Sequence, residues 1–204
     1  MIKKIAFIVF ALSSVAIGLY PIIYLFIDAN FGLLSSKPEA LLNNSLWNFT
    51  FYTHIYFGGL ALGIGWIQFN HEFRYKNLRL HKIIGKVYTV AVLLSGFSSL
   101  YIACFATGGI IAIFGFTCLG IIWLVSTIAG YLSIKKGNIV KHQEFMIFSY
   151  AACFAAVTLR IWLPSLTVLF QDFIIAYKIV AWLCWVPNIV VAAIIVRRLQ
   201  SKNV

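Results

Sequence analysis

Histidine is the side chain of this sequence best suited to chemistry, and two of its four copies occupy matching positions. His81 and His142 each follow a basic stretch and stand at the predicted start of an apolar helix, so we expect them at similar depth. The positive end of a helix dipole disfavours imidazolium, which keeps each ring neutral and able to bind a metal. Two such rings on different helices of a bundle could hold a haem iron axially. The alternative is that each histidine only hydrogen-bonds interfacial backbone or lipid phosphate.

A non-haem metal is another interpretation of the same pair. His81 and His142 could bind it together with His71, Glu72 or Glu144, because nitrogen and carboxylate oxygen are common metal ligands. His71 lies in the polar hairpin before His81, where we expect it to be exposed and solvated.

His54 is predicted to lie toward the other side of the membrane. It comes fourteen residues before Gln68, about 21 Å along a helix, so it cannot share a ligand with His81. Ionisable groups within a bilayer are costly and face the bundle interior or water. His54 is therefore a candidate for contact with a quinone headgroup or a haem with one unusual ligand, and the alternative is a histidine–tyrosine contact between helices. The companions expected at its depth are Tyr52, Tyr56, Tyr101, Cys104 and Arg160.

Arg160 is the other charged candidate, about one turn before Pro164 at the predicted outer end of a helix. Its long side chain could snorkel to the outer interface. Alternatively, it faces the bundle as a fixed cation that holds a propionate, a quinone oxygen or an acid such as Asp172.

Composition indicates what positions these residues. The chain has 204 residues, of which 62% are hydrophobic and 10% charged, and its mean hydropathy is +0.96. Soluble domains are far less apolar, so this is an integral membrane protein, predicted as one domain over residues 1–204. The net charge of +11 does not indicate nucleic-acid binding, because the cations cluster in short turns beside interfacial aromatics.

Six apolar runs predict an all-α membrane protein with six transmembrane helices, of which the second to fifth form a four-helix core. Their expected bounds are 5–27, 48–69, 82–106, 110–134, 143–163 and 174–196. Residues 28–47 are predicted to form a polar loop, and residues 70–88 a basic hairpin. Thirteen cations, among them Lys202, fall on the side of both termini and three on the other, which predicts cytoplasmic termini.

Two further patterns concern packing. Gly59 and Gly63 place small residues on one face of the second span, which predicts close approach by a neighbouring backbone, a partner subunit or a second copy of the chain. The segments around His81 and His142 also resemble each other, with Tyr88 and Tyr150 following, which predicts two parallel repeats. The four cysteines fall in apolar runs and are expected to be buried and unreactive, and Trp47 is expected to be an interfacial anchor.

No hydrolase motif is present, neither G-x-S-x-G nor H-E-x-x-H nor a phosphate-binding glycine loop. The deep membrane segments also contain no carboxylate, which disfavours a proton-coupled transporter.

Several motifs together resemble a family of bacterial predicted membrane proteins known as domain of unknown function 2306. They are His54 and the glycines up to Gln68-Phe69, then LHKxxGKVY at residues 80–88, KHQEFM at 141–146, and the stretch 150–164 ending in TLRIWLP. The resemblance covers about residues 50–165 and implies a bacterial cytoplasmic membrane protein without an assigned activity. Its layout is similar to two-haem transmembrane cytochromes b, except that His54 lacks a histidine partner.

The function predicted from these observations is a cytochrome b-like redox protein of the inner membrane. His81 and His142 would bind haem b, and His54 and Arg160 would line a pocket for a quinone or another redox partner. The alternatives are a non-enzymatic membrane module, such as a small transporter or partner subunit, and a cytoplasmic-face metal site formed by His81, His142 and Glu144.

Overall fold

The computed structural model describes residues 2–26 and 32–201, which form α-helices and short 3-10 helices and no strand. The α-helices are α1 (Ile2–Leu19), α2 (Glu39–Leu42), α3 (Ser45–Gly65), α4 (His71–Lys76), α5 (Leu78–Ala103), α6 (Ile110–Lys135), α7 (Ile139–Cys153), α8 (Ala155–Phe170), α9 (Phe173–Leu183) and α10 (Val186–Gln200). The 3-10 helices cover Tyr20–Leu25, Gly32–Ser36 and Trp66–Phe69. The all-α prediction is therefore confirmed.

Five segments are long and apolar enough to cross a membrane: Lys4–Leu25, Leu78–Ala103, Ile110–Lys135, Ile139–Phe170 and Phe173–Gln200. The second predicted span, α3, is not among them. Its 21 residues are long enough, at about 31 Å, but polar side chains such as Asn48 and His54 lower its hydropathy. The six-span count and the cytoplasmic termini stay predictions, and Lys202 lies outside the described residues.

The fifth and sixth spans each consist of two helices. Phe154 separates α7 from α8, and Cys184 and Trp185 separate α9 from α10. The predicted end of the fifth span before Pro164 is wrong, because α8 continues through this proline to Phe170. Membrane helices tolerate proline better than exposed helices do, and beside this proline Ser165 and Thr167 donate to the carbonyls of Ile161 and Leu163.

The chain divides into two compact units, Met1–Ile102 and Ala103–Val204. In the first unit α1 packs against α3 at glycines. A Cβ at Gly18 would lie 2.8 Å from the Gly59 carbonyl oxygen and 2.9 Å from the Gly63 Cα. The glycine face therefore does admit a neighbouring backbone, but that neighbour is α1 of the same chain. That a second copy of the chain or a partner subunit also packs on this face stays a prediction. That the whole chain is one domain stays a prediction.

The described part of the segment predicted as a polar loop, residues 32–47, forms a packed cap within the first unit. Leu34, Trp47 and Phe51 are buried there, each at most 4% exposed, and the Trp47 ring stacks on Phe51 with centroids 5.1 Å apart. Trp47 is thus a core residue and not an interfacial anchor. Its burial follows from α2 and the 3-10 helix Gly32–Ser36, which fold over it.

In the second unit α6 packs against α7 and α9, and α10 packs against α7. A Cβ at Gly115 would lie 2.7 Å from the Ala181 carbonyl oxygen, so α6 and α9 are in backbone contact. Two buried hydroxyls, Thr127 on α6 and Ser149 on α7, share a hydrogen bond of 2.6 Å. Such buried polar pairs hold membrane helices in register.

Candidate functional site: histidines fixed to neighbouring helices

His142 lies in the first turn of α7. Asn138 caps this helix, since its side-chain oxygen accepts from the Lys141 N–H at 2.9 Å, and its carbonyl accepts from the His142 N–H at 3.0 Å. The imidazole Nδ1 lies 2.9 Å from the carbonyl oxygen of Gly130 on α6. A carbonyl can only accept, so Nδ1 carries the hydrogen. In the neutral ring, Nε2 is then the nitrogen with the lone pair.

Glycine at position 130 makes this contact feasible. A Cβ there would lie 2.8 Å from the Met146 Sδ and 3.4 Å from the Phe145 Cβ. The absence of a side chain therefore lets α7 approach α6 closely enough for the histidine ring to reach the main chain.

His81 occupies the same helical position in α5. Its backbone N–H donates to the Asn77 carbonyl at 2.9 Å, as His142 does to Asn138. Its own carbonyl accepts from Gln68 Nε2 at 3.2 Å, and the ring Nδ1 is buried. The helix starts at Leu78, four residues earlier than predicted, which places His81 in its first turn.

The two segments share the position of the histidine in its helix, whereas Tyr88 follows at seven residues and Tyr150 at eight. The two parallel repeats stay a prediction. In both segments an asparagine is followed four residues later by the histidine, and the tyrosines Tyr88 and Tyr150 are 2% and 3% exposed. His81 belongs to the first unit and His142 to the second. Their pairing around one cofactor stays a prediction.

The three-ligand metal alternative finds no support. Over residues 2–26 and 32–201, no three His, Cys, Asp or Glu side chains come together in a way that could hold a metal ion. Glu144, the expected third ligand, accepts a hydrogen bond of 2.7 Å from Gln200 Nε2 on α10. His71 is exposed, as predicted.

His54 is fixed to Ser95 on α5. Its Nδ1 lies 3.1 Å from the Ser95 carbonyl oxygen and 3.0 Å from the Ser95 hydroxyl oxygen. That hydroxyl donates to the His54 carbonyl at 2.9 Å, so both Ser95 oxygens share the Nδ1 hydrogen. Ser95 is fully buried. The interhelical contact made by Nδ1 of His54 is thus with serine, and Tyr52 and Tyr56 stack on each other on α3. A histidine–tyrosine contact stays a prediction. Of the other expected companions, Cys104 and Arg160 belong to the second unit.

Arg160 lies deeper in its span than predicted. Because α8 continues to Phe170, Arg160 is ten residues from that end, about 15 Å. Its Nη1 donates to the Ala156 carbonyl at 3.0 Å, one turn toward the start of α8. The side chain therefore extends away from the predicted outer interface. Asp172, a suggested partner, instead caps α9 by accepting from Ile174 and Ile175.

A polar link between the two helix breaks was not predicted. Asn188 Nδ2 on α10 lies 3.2 Å from Thr158 Oγ1, 3.0 Å from the Cys184 carbonyl and 3.3 Å from the Ala151 carbonyl. Thr158 also donates to the Cys184 carbonyl. The dipeptide Pro187-Asn188 within an apolar run was the available sequence signal.

Cys153 and Cys184, at the breaks, are buried as expected, whereas Cys104 is exposed.

Comparison with known proteins identifies the chain by family only. The family model described as predicted membrane protein DUF2306 matches residues 51–196, which is more than half of the chain and extends beyond the stretch that carried the resemblance. No curated protein and no solved structure matches. The multiple apolar helices and this match together make the chain a multi-pass membrane protein, and it belongs to the DUF2306 family.

Proposed function

We propose that this protein binds haem b through the Nε2 atoms of His81 and His142 and acts as a cytochrome b-like electron-transfer protein. We further propose six spans in a bacterial cytoplasmic membrane, with α3 as the least apolar of them and both termini inside. The cation distribution along the sequence supports that orientation.

The orientation of the His142 ring is the observation that supports this function best. Metal-binding histidines generally donate their other ring N–H to a carbonyl or carboxylate, which fixes the tautomer and aims the remaining nitrogen. The bond from His142 Nδ1 to the Gly130 carbonyl has this form. His81 has the same helical position, and the burial of its Nδ1 turns that nitrogen away from solvent.

The chain's own residues would orient the two imidazoles and exclude water, and haem b, when bound, would supply a one-electron redox centre. A quinone is the redox partner that suits the other two candidates. His54 could accept a proton at Nε2, and Arg160 could stabilise an anionic quinone oxygen from within its span.

The absorption spectrum of the purified protein, expressed with a haem supply, tests the proposal. The wild type should have a Soret band that His81→Ala and His142→Ala each abolish. The matched control is His71→Ala, which removes an exposed histidine from the hairpin before α5 and should keep the band. A colourless wild type, or a full band in either His81→Ala or His142→Ala, contradicts haem binding.

The paired breaks in the fifth and sixth spans favour a second candidate, a small transporter. Transporters often place discontinuous helices around a site near the middle of the bilayer, and here Asn188 joins the breaks through Thr158 and Cys184. Cys184 is fully buried. In a variant that keeps Cys184 as its only cysteine, opening of the helix breaks during transport should allow a water-soluble maleimide to label Cys184. Complete protection of Cys184 from labelling would contradict the transporter candidate.

A further inference from the structure

The turn between α6 and α7 concentrates positive charge at the end of two apolar helices. Gly137 adopts φ +77°, a left-handed conformation that ends α6. The amides of Lys136, Gly137 and Asn138 donate to the carbonyls of Leu132, Ile134 and Ser133, respectively. These bonds cap carbonyl oxygens that would otherwise repel an anion at this end of α6.

A groove of about 390 Å³ lies beside this turn. Its polar residues are Lys136, Asn138 and Lys141, which are exposed, and Ser133, whose hydroxyl donates to the Ala129 carbonyl within α6. The helix α7 begins at the groove, because Asn138 is its N-cap, and a helix N-terminus adds partial positive charge. This end of the groove therefore attracts anions.

The other end of the groove is apolar. Ala129 and Leu132 of α6 and Phe145 of α7 line it. They lie within the segments that are apolar enough to cross a membrane. A ligand that fits both ends has an anionic head and a hydrocarbon chain.

The charges in this part of the chain favour such a ligand. Lys135 adds a third exposed cation next to the groove. Glu144 is the acid nearest in sequence, one turn after Lys141, and its carboxylate accepts from Gln200. Asp172, the other acid between residues 103 and 204, caps α9 after the opposite end of the spans.

We propose that this groove binds the phosphate of an anionic phospholipid. Lys136 and Lys141 contact the phosphate, and one acyl chain lies against Ala129, Leu132 and Phe145. Basic pockets where membrane helices leave the bilayer are suited to anionic headgroups. The inference does not depend on haem binding, because it uses none of the histidines.

Native mass spectrometry of the full chain in detergent tests the site with two lipids of identical acyl chains, phosphatidylglycerol and phosphatidylcholine. The wild type should retain phosphatidylglycerol preferentially. The double variant Lys136→Gln/Lys141→Gln should lose roughly thirtyfold in that preference, since each lysine near an anionic headgroup contributes about fivefold.

The matched control is Lys76→Gln/Lys86→Gln, which removes the same charge from exposed lysines that do not line the groove. It should keep the preference, and thermal unfolding without added lipid should show that both double variants fold. Equal retention of the two lipids by the wild type, or an unchanged preference in Lys136→Gln/Lys141→Gln, overturns the proposal. Displacement of phosphatidylglycerol by millimolar inorganic phosphate also overturns it, because the groove would then be a site for free anions.

Discussion

Each unit of this protein attaches a histidine ring to a backbone carbonyl of a neighbouring helix, but the two attachments differ in strength. In the first unit, His54 and the buried Ser95 share three short contacts, two at Nδ1 and one from the hydroxyl to the His54 carbonyl. In the second unit, His142 makes a single contact at Nδ1, with Gly130. Gly130 has no side chain with which to return a hydrogen bond.

The difference separates a histidine that joins two helices through several bonds from one whose ring makes a single orienting bond. A polar group within an apolar span must be satisfied inside the protein, and Ser95 does this for His54, about 13 Å along α3 from its first residue. His142 lies in the first turn of α7, at the end of an apolar segment and next to the exposed Lys141, so one orienting bond suffices. The lysines of the two units also differ in burial. Lys37 of the first unit is partly buried in the cap, whereas Lys136 and Lys141 of the second unit are exposed.

Replacing the two histidines separately tests this comparison with the largest expected effect. In protein prepared without haem, His54→Ala should lower the free energy of unfolding by about 1–3 kcal/mol, because it removes an interhelical contact and leaves a cavity. His142→Ala should cost less than about 1 kcal/mol, since it removes one hydrogen bond near the surface. Thermal unfolding in detergent measures both, and equal losses would show that His54 does not contribute more to stability than His142 does.

The hydroxyl of Ser95 should account for part of the His54 effect. Ser95→Ala removes its bonds to the His54 ring and carbonyl and should cost about 0.5–1.5 kcal/mol, the range of interhelical hydrogen bonds in membranes. Ser99→Ala is the control on the same helix, because the Ser99 hydroxyl donates to Gly96 of its own helix. If the two variants unfold alike, Ser95 does not join the helices.

The smallest expected effect concerns Lys37 and pH. Burial lowers the pKa of Lys37 from the ordinary 10.5 to about 8. Between pH 8 and pH 10.5 the unfolded chain binds more protons at Lys37 than the folded chain does. The contribution of Lys37 to the free energy of unfolding therefore rises with pH. The unfolding midpoint of the wild type should rise by about 2–4 °C from pH 7.5 to 9.5 relative to Lys37→Met. The exposed Lys76, changed to Met, should leave the pH dependence of the wild type unaltered, and a parallel response of all three proteins would contradict the burial of Lys37.

Hydropathy and residue type predicted the features that depend on side-chain chemistry, namely the apolar segments and the close helix contact. The apolar runs predicted each of the five segments that are able to cross a membrane, and the glycines of α3 predicted a close helix contact. The acceptors for His54 and His142 could not be predicted, because a main-chain carbonyl has no signature in the sequence. The error at Pro164 arose because proline ends helices in water more reliably than in membranes. Trp47 was misplaced because its burial depends on a cap whose own residues look polar.

Arg160 has a consequence for energetics as well as for ligand binding. In a span that crosses the membrane, a charge that far from both ends would lie within the electric field. Carrying one elementary charge through the whole field requires about 2.3 kcal/mol per 100 mV, and a partial displacement requires a corresponding fraction. Any rearrangement of α8 that moves this guanidinium along the membrane normal would therefore become voltage-dependent.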